Sequence, residues 1–349
     1  MDFPAWDPVL FDLPGPLDIR WYGMMYVVGF VIGQWILVRL ARAGFFPVDP
    51  KAAPDLVFYC VIGVMLGGRT GYALFYDPEY QLILPWNFIQ VWKGGLAFHG
   101  GLSGVAIAAW LFARKHKLTW GRVGDACALA VTPGIFAVRF ANFINGELFG
   151  RVTSKDTPFA MQFPTDERAH QLLGLSDAWT MRDRELCIQM AFGRRTFEQV
   201  KDRLSLDPDA GRTAEFWAGF AKKLDWKAVQ ARTDVDGVPL VPFRHPSQLY
   251  EGIGEGLVLG LVLFGLYLAT RGRPLRPGRY IVVFLLGYAI IRWSLELVRQ
   301  PDAQMPKSVL FGMTMGQTLS AGMVVGAALV LLWPLLRRRA TGGPPPGTT

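Results

Sequence analysis

The run Arg139-Phe-Ala-Asn142-Phe-Ile-Asn145-Gly146-Glu147-Leu-Phe-Gly150-Arg151 sets two guanidiniums, one carboxylate and two side-chain amides at the end of an apolar stretch long enough to cross a bilayer. Ionisable groups at that depth are costly, and they face a protein interior or a wet cavity with a task to perform. A guanidinium fork matches a phosphate or a carboxylate and keeps its charge under any condition. The chemistry this points to is recognition of an anionic group at membrane depth. Snorkelling of a helix end towards water explains Arg151. It does not explain Asn142, Asn145, Gly146 and Glu147 together.

Other polar groups interrupt apolar sequence in the same way. In Lys93–Gly104, glycines flank His99 on both sides, which lets the backbone bend and approach a ligand, and histidine moves protons near neutral pH. A hydrogen-bonded structural histidine at a helix start is an equally good reading. The octet Arg244-His245-Pro246-Ser247-Gln248-Leu249-Tyr250-Glu251 opens an apolar run, with Ser247 as an expected N-cap and Glu255 a further carboxylate inside. Capping does not account for so many polar groups. Tyr288, Arg292 and Glu296 recur every four residues and share one helical face. An Arg292–Glu296 pair neutralises itself but still costs desolvation. Arg299-Gln300 follows. Tyr22, in Arg20-Trp21-Tyr22-Gly23, either lines a site or belongs to an interfacial belt, and Arg69 among Gly67, Gly68 and Gly71 is equally open.

The elements that must position these groups are membrane spans. Of 349 residues, 51% are hydrophobic, and the apolar ones fall in blocks of spanning length. Twelve Trp and many Phe and Tyr sit near block ends, as an aromatic belt does. The expected fold is all-α and polytopic, with about seven spans at 21–41, 54–74, 96–113, 124–141, 249–270, 280–298 and 315–336. The third is short and glycine-rich and could be re-entrant. The formal charge of +8 implies no nucleic acid here, because Lys and Arg cluster after alternate spans: Arg42 and Lys51, Arg114–Arg122, Arg271–Arg279, and Arg337–Arg339. The positive-inside rule then puts the N-terminus outside and the C-terminus in the cytoplasm. The first 20 residues lack a basic n-region and are not expected to be a cleaved signal.

Residues 1–151 are read as four spans ending in the Arg-Asn motif and 244–338 as three more. Between them, 152–243 is a nearly charge-balanced insertion with helix-like pieces at 196–205 and 213–231, read as an outer head domain over the site mouth. Residues 339–349 read as a disordered cytoplasmic tail. Cys60, Cys127 and Cys187 show neither metal spacing nor an expected disulfide. Gly63, Gly67 and Gly71, and Gly252, Gly256 and Gly260, form small-residue faces best read as helix packing.

Taken together, Arg20–Gly23, Gly95–Gly104, Arg139–Arg151, His245–Glu251 and Tyr288–Gln304 resemble the bacterial prolipoprotein diacylglyceryl transferases. Asn-Phe-Ile-Asn-Gly-Glu-Leu and His-Pro-Ser-Gln-Leu-Tyr-Glu are highly specific strings. The family pattern Gly-Arg-x-Gly-Asn reads here with Val138 and Ala141 in place of its glycines. The resemblance covers nearly all spans, but not 152–243 or the tail. It implies a seven-span inner-membrane enzyme that moves diacylglycerol from phosphatidylglycerol to the lipobox cysteine of a preprolipoprotein, on the outer side.

On that reading Arg139 and Arg292 bind and stabilise phosphate, and Asn142, Asn145 and Gly146 orient the head group. Glu296 fixes Arg292, and Glu147 fixes Arg151 or another cation. Arg151 and His245 lie along the lipid site, and Tyr22 and Tyr288 donate to its oxygens. His99 is the candidate base, although arginine fields alone could lower the thiol pKa. No metal or organic cofactor is expected: there is no nucleotide loop, nucleophile elbow or ligand spacing. Two other classes stay in view. A lipid or small-anion transporter would use the same arginines but usually carries internal repeats, which are not found. A membrane scaffold would leave Arg139, Arg292 and Glu296 without purpose.

Overall fold

The computed structural model describes residues 3–4, 6, 9–12, 18–75, 88, 95, 97–166, 168–169, 230–273, 275–300 and 312–341. The helix-like pieces expected at 196–205 and 213–231 lie outside them apart from 230–231, as does most of the expected tail. Among the described residues the helices are α1 (Trp21–Arg42), α2 (Ala53–Phe75), α3 (Phe98–Lys115), α4 (Trp120–Ile144), α5 (Ser247–Ala269), α6 (Arg279–Leu295) and α7 (Met315–Thr341). Five helices, within α1, α2, α4, α5 and α7, are long and apolar enough to cross a membrane. The third expected block is the 18-residue α3, and the sixth is the 17-residue α6. A short antiparallel pair, β1 (Val9–Asp12) and β2 (Asp18–Arg20), precedes α1. Strands of four and three residues leave no signal in a reading built on span-length apolar runs.

The chain divides into two compact units. One comprises Val28–Ile135, Glu255–Ile291 and Thr318–Thr349. Its core gathers Leu37, Phe46, Leu56, Phe112, Val123, Leu263 and Tyr280, while Val31, Trp35, Phe58, Ile107, Phe264 and Leu329 point outwards. Large apolar side chains exposed on apolar helices are what lipid as solvent requires. Arg39 lies 5.0 Å over Trp35 and Arg114 5.1 Å over Trp110, pairing the basic ends of α1 and α3 with aromatic rings. The α4 carboxylate of Asp125, fully buried, accepts from the backbone N–H groups of Gly278, Tyr280 and Ile281 at 2.8, 2.9 and 3.0 Å. Those N–H groups open α6 and have no partner within their own helix.

The glycine face of α2 meets a second glycine face. A Cβ on Gly67 would lie 2.9 Å from the Cα of Gly104, and one on Gly71 would lie 2.9 Å from the Cα of Gly100. Both neighbours are backbone of α3, so α2 and α3 touch directly, as the packing reading expects. Gly67→Ala must therefore push the two helices apart. It is expected to lower thermal stability by about 1–3 kcal/mol, measured as a reduced melting temperature in detergent. The same packing accounts for Gly100 and Gly104, two of the glycines around His99.

The other unit comprises Met1–Val27, Phe136–Gly254 and Arg292–Gln317. Phe3, Phe143, Met161 and Phe163 form its apolar centre, with Phe140, Phe149 and Leu249 packed against them.

Candidate active site

Most of the polar groups singled out from the sequence converge in this second unit, and local backbone geometry explains how. Helix α4 ends at Ile144, and Gly146 follows with φ +65°. The Gly146 N–H bonds the Phe143 carbonyl at 2.9 Å and the Glu147 N–H bonds the Asn142 carbonyl at 3.0 Å. This is a left-handed helix stop, the conformation glycine adopts at least cost. Gly146 thus shapes the turn, and its carbonyl accepts from the Thr165 hydroxyl. The turn folds Glu147 back over α4, so its Oε1 accepts from Asn142 Nδ2 at 2.8 Å and from Asn145 Nδ2 at 3.4 Å. Tyr22 stands beside Asn142 and Glu147. Glu147 thus closes on two amides, where a pairing with Arg151 or another cation is expected. Arg151 points elsewhere, its Nε donating to the Arg299 carbonyl at 3.0 Å. A carboxylate five residues from one amide and two from the other closes on both before it can reach a cation beyond Gly150.

Three backbone segments then lie side by side. Gly150 N–H bonds the His245 carbonyl at 2.8 Å, Arg151 N–H the Val298 carbonyl at 2.8 Å, and His245 N–H the Arg151 carbonyl at 3.2 Å. A Cβ on Gly150 would sit 2.5 Å from the Val298 carbonyl oxygen and 2.8 Å from His245 Cβ. The close approach therefore requires glycine. It brings the ends of α4 and α6 and the start of α5 together.

Helix α5 begins at Ser247, whose hydroxyl donates to the Leu148 carbonyl at 2.9 Å. Pro246 holds the N-cap position, so Ser247 is a tether to the Arg-Asn loop and not the expected cap. Gln248 Nε2 donates to the Glu147 carbonyl at 2.6 Å. His245 Nδ1 is buried, and its ring centroid lies 6.1 Å from that of Tyr250.

Glu251 occupies the centre. Only 1% exposed, it meets Arg139 Nη2 at 2.9 Å through Oε2. It also accepts from Arg299 Nη1 at 3.0 Å through Oε1 and 3.2 Å through Oε2. Gly252 lets α5 come this close: a Cβ there would lie 3.2 Å from Arg139 Cβ. After Glu251 the helix widens into a π-helical stretch, Gly252–Val258, a feature frequent at functional sites. One carboxylate thus serves two guanidiniums from α4 and from beyond α6.

A second pair sits on α6 and the turn after it, with Arg292 Nη1 and Glu296 Oε2 3.0 Å apart. Glu296 Oε1 accepts from the Thr314 hydroxyl at 2.7 Å. A third pair joins Arg244 to Asp166, with Arg244 also donating to Gln300 Oε1 and lying 4.9 Å over the Phe149 ring.

Of the sequence-predicted residues, Tyr22, Arg139, Asn142, Asn145, Gly146, Glu147, Arg151, His245, Arg292 and Glu296 all fall in this unit. His99 and Tyr288 belong to the other. There His99 is exposed in the first turn of α3, and the Tyr288 hydroxyl donates to Glu255 Oε2 at 2.8 Å. Arg69 in that unit donates to the Phe88 carbonyl at 2.9 Å and the Gly95 carbonyl at 3.1 Å, which makes it a tether for the segment before α3. The sequence did not assign Glu251, Arg299, Arg244 or Asp166 to a site. The polar density of 244–251 and the Arg299-Gln300 pair were the available signals for three of them. Asp166 had none.

Helices apolar enough to cross a bilayer, with a buried cluster of arginines and carboxylates among them, define a multi-pass membrane protein. Comparison with known proteins makes the class specific. The prolipoprotein diacylglyceryl transferase family model matches residues 8–333. A phosphatidylglycerol–prolipoprotein diacylglyceryl transferase of Paraburkholderia phymatum is 38% identical over 338 residues, covering 96% of this chain and 95% of that protein. One of Burkholderia thailandensis is 36% identical over 347 residues, covering 96% of each. The chain belongs to the prolipoprotein diacylglyceryl transferase family.

Proposed function

We propose that this chain transfers the diacylglyceryl group of phosphatidylglycerol to the lipobox cysteine thiol of a preprolipoprotein. The observation that carries the reading is Glu251 shared between Arg139 and Arg299 at the end of membrane-crossing helices. A carboxylate anchored by Arg299 pre-orients the Arg139 guanidinium, so a phosphodiester meets it without reorganisation.

The reaction breaks the C–O bond between a glyceryl carbon and phosphate and forms a C–S bond. Glycerol phosphate leaves, and the thiol proton passes to a base. Arg139 and Arg292 stabilise the charge that grows on the departing phosphate. Glu251 holds Arg139, Glu296 holds Arg292, and the Asn142–Asn145–Glu147 knot with Tyr22 shapes the head-group side. Arg151 and His245 complete the lipid site. The thiol must ionise to attack, and His99 is the base assigned.

The site residues lie at the first turns of α1 and α5 and the last turns of α4 and α6. The basic clusters lie at the opposite ends of α1 and α4, between α5 and α6, and at the far end of α7. With the positive-inside rule this supports seven spans in a bacterial inner membrane, an outer N-terminus and an extracytoplasmic site. Lipid arrives laterally between spans.

Purified protein, phosphatidylglycerol and a lipobox peptide test the assignment. Arg292→Ala is expected to lose at least about 10²-fold in kcat, as removal of one charge-stabilising donor does. Near-normal transfer by that variant refutes the role of Arg292. His99→Gln is expected to lose about 10²-fold, with the loss relieved as pH rises and the thiol ionises unaided. An unchanged pH–rate profile moves the base elsewhere.

A further inference from the structure

Neither Thr314 nor Gly316 stands out in the sequence, yet both touch the Arg292–Glu296 pair. We propose that they are positioning residues, through which the start of α7 fixes the geometry of Arg292. The inference rests on the phosphate-binding role of Arg292 argued above.

Thr314 and Gln317 form a reciprocal capping box. The Gln317 N–H donates to Thr314 Oγ1 at 3.3 Å, and the Thr314 N–H donates to Gln317 Oε1 at 3.0 Å. The Thr314 hydroxyl therefore accepts from its own helix while its proton goes to Glu296 Oε1 at 2.7 Å. Both ends of the hydroxyl are committed, so the helix start clamps one carboxylate oxygen. The other oxygen holds Arg292 Nη1 at 3.0 Å. Gly316 leaves room for that arrangement. A Cβ there would lie 2.8 Å from both Arg292 Nη2 and Glu296 Cδ, and would contact Glu296 Oε2. The groups it meets are the far ends of two side chains, so a methyl would displace the ion pair while the backbone stays in place. A displacement of that size at a charge-stabilising group lowers the rate far more than it lowers stability.

The experiment measures kcat and KM for phosphatidylglycerol in Gly316→Ala, Thr314→Asp, Thr314→Ser, Arg292→Ala and Gly322→Ala. Gly322 lies on α7 with nothing within 4 Å of a Cβ, so it controls for a methyl on this helix. Thr314→Asp keeps an N-cap acceptor but sets a carboxylate against Glu296. Thr314→Ser keeps both functions. Gly316→Ala and Thr314→Asp are expected to lose about tenfold or more in kcat with a smaller change in KM. Thr314→Ser and Gly322→Ala are expected to match the parent protein. Thr314→Asp as active as Thr314→Ser, or Gly316→Ala as active as Gly322→Ala, overturns the proposal. If Gly316→Ala fails to fold, the Thr314 pair decides alone. An active Arg292→Ala sinks the parent reading, whereas an inactive one beside active Gly316→Ala and Thr314→Asp sinks this inference only.

Discussion

Arg139→Ala is expected to abolish measurable diacylglyceryl transfer while leaving the protein folded. The asymmetry follows from how Glu251 is held. Arg299 binds both of its oxygens, at 3.0 and 3.2 Å, whereas Arg139 binds one at 2.9 Å. Without Arg139 the buried carboxylate keeps a two-point partner, so the penalty of an unpaired charge does not arise. What disappears is the guanidinium assigned to the leaving phosphate. Loss of one preorganised donor to developing charge costs about 10²–10³ in kcat, and a fully charged donor sits at the upper end or beyond. Arg139→Lys keeps the charge but not the planar fork, and it is expected to recover only part of the rate. Turnover and melting temperature measured on the same preparations check this. A large fall in melting temperature for Arg139→Ala would make the residue chiefly structural.

Glu251→Ala reverses the pattern. It leaves Arg139 and Arg299 facing each other across a site where the carboxylate was 1% exposed. Removing one member of a buried ion pair costs about 3–5 kcal/mol, and here one deletion strips two cations of their common partner. The expected result is little folded protein in detergent, seen as a collapsed melting transition. Glu251→Gln keeps the shape and two hydrogen-bonding groups, so it folds better but transfers slowly. Adding Arg299→Leu to Glu251→Ala removes one of the two cations that shared the carboxylate and is expected to restore folded protein in part, a coupling a double-mutant cycle reads directly. If Glu251→Ala melted like the parent protein, Glu251 could not be the hub of the cluster.

The sequence showed the spans because lipid imposes one simple rule, about twenty apolar residues with polar ends. That is why α1, α2, α4, α5 and α7 begin and end close to their expected limits. Arg139, Asn142, Glu147, Arg292 and Glu296 were legible for the same reason: they interrupt apolar sequence, where polarity is costly. Partners were less legible. Arg292 and Glu296 pair within one helical turn, which spacing reveals. Glu251 joins Arg139, 112 positions earlier, and Arg299, 48 positions later, and only the packing of α5 on α4 at Gly252 decides that. The asparagine partners of Glu147 are not visible in the sequence, because the left-handed turn at Gly146 that delivers it to them is a tertiary outcome. Thr314 looks like an ordinary cap until its proton is traced to Glu296.

The central claim is that the arginine–carboxylate cluster serves covalent transfer and not passage or storage of a lipid. The direct measurement is the mass of a lipobox peptide after incubation with purified protein and phosphatidylglycerol, with Arg139→Ala alongside. A gain of one diacylglyceryl group, absent in Arg139→Ala, is the result predicted. A peptide of unchanged mass, with phosphatidylglycerol still bound in an Arg139-dependent manner, would contradict it and leave a lipid-binding or transport protein in its place.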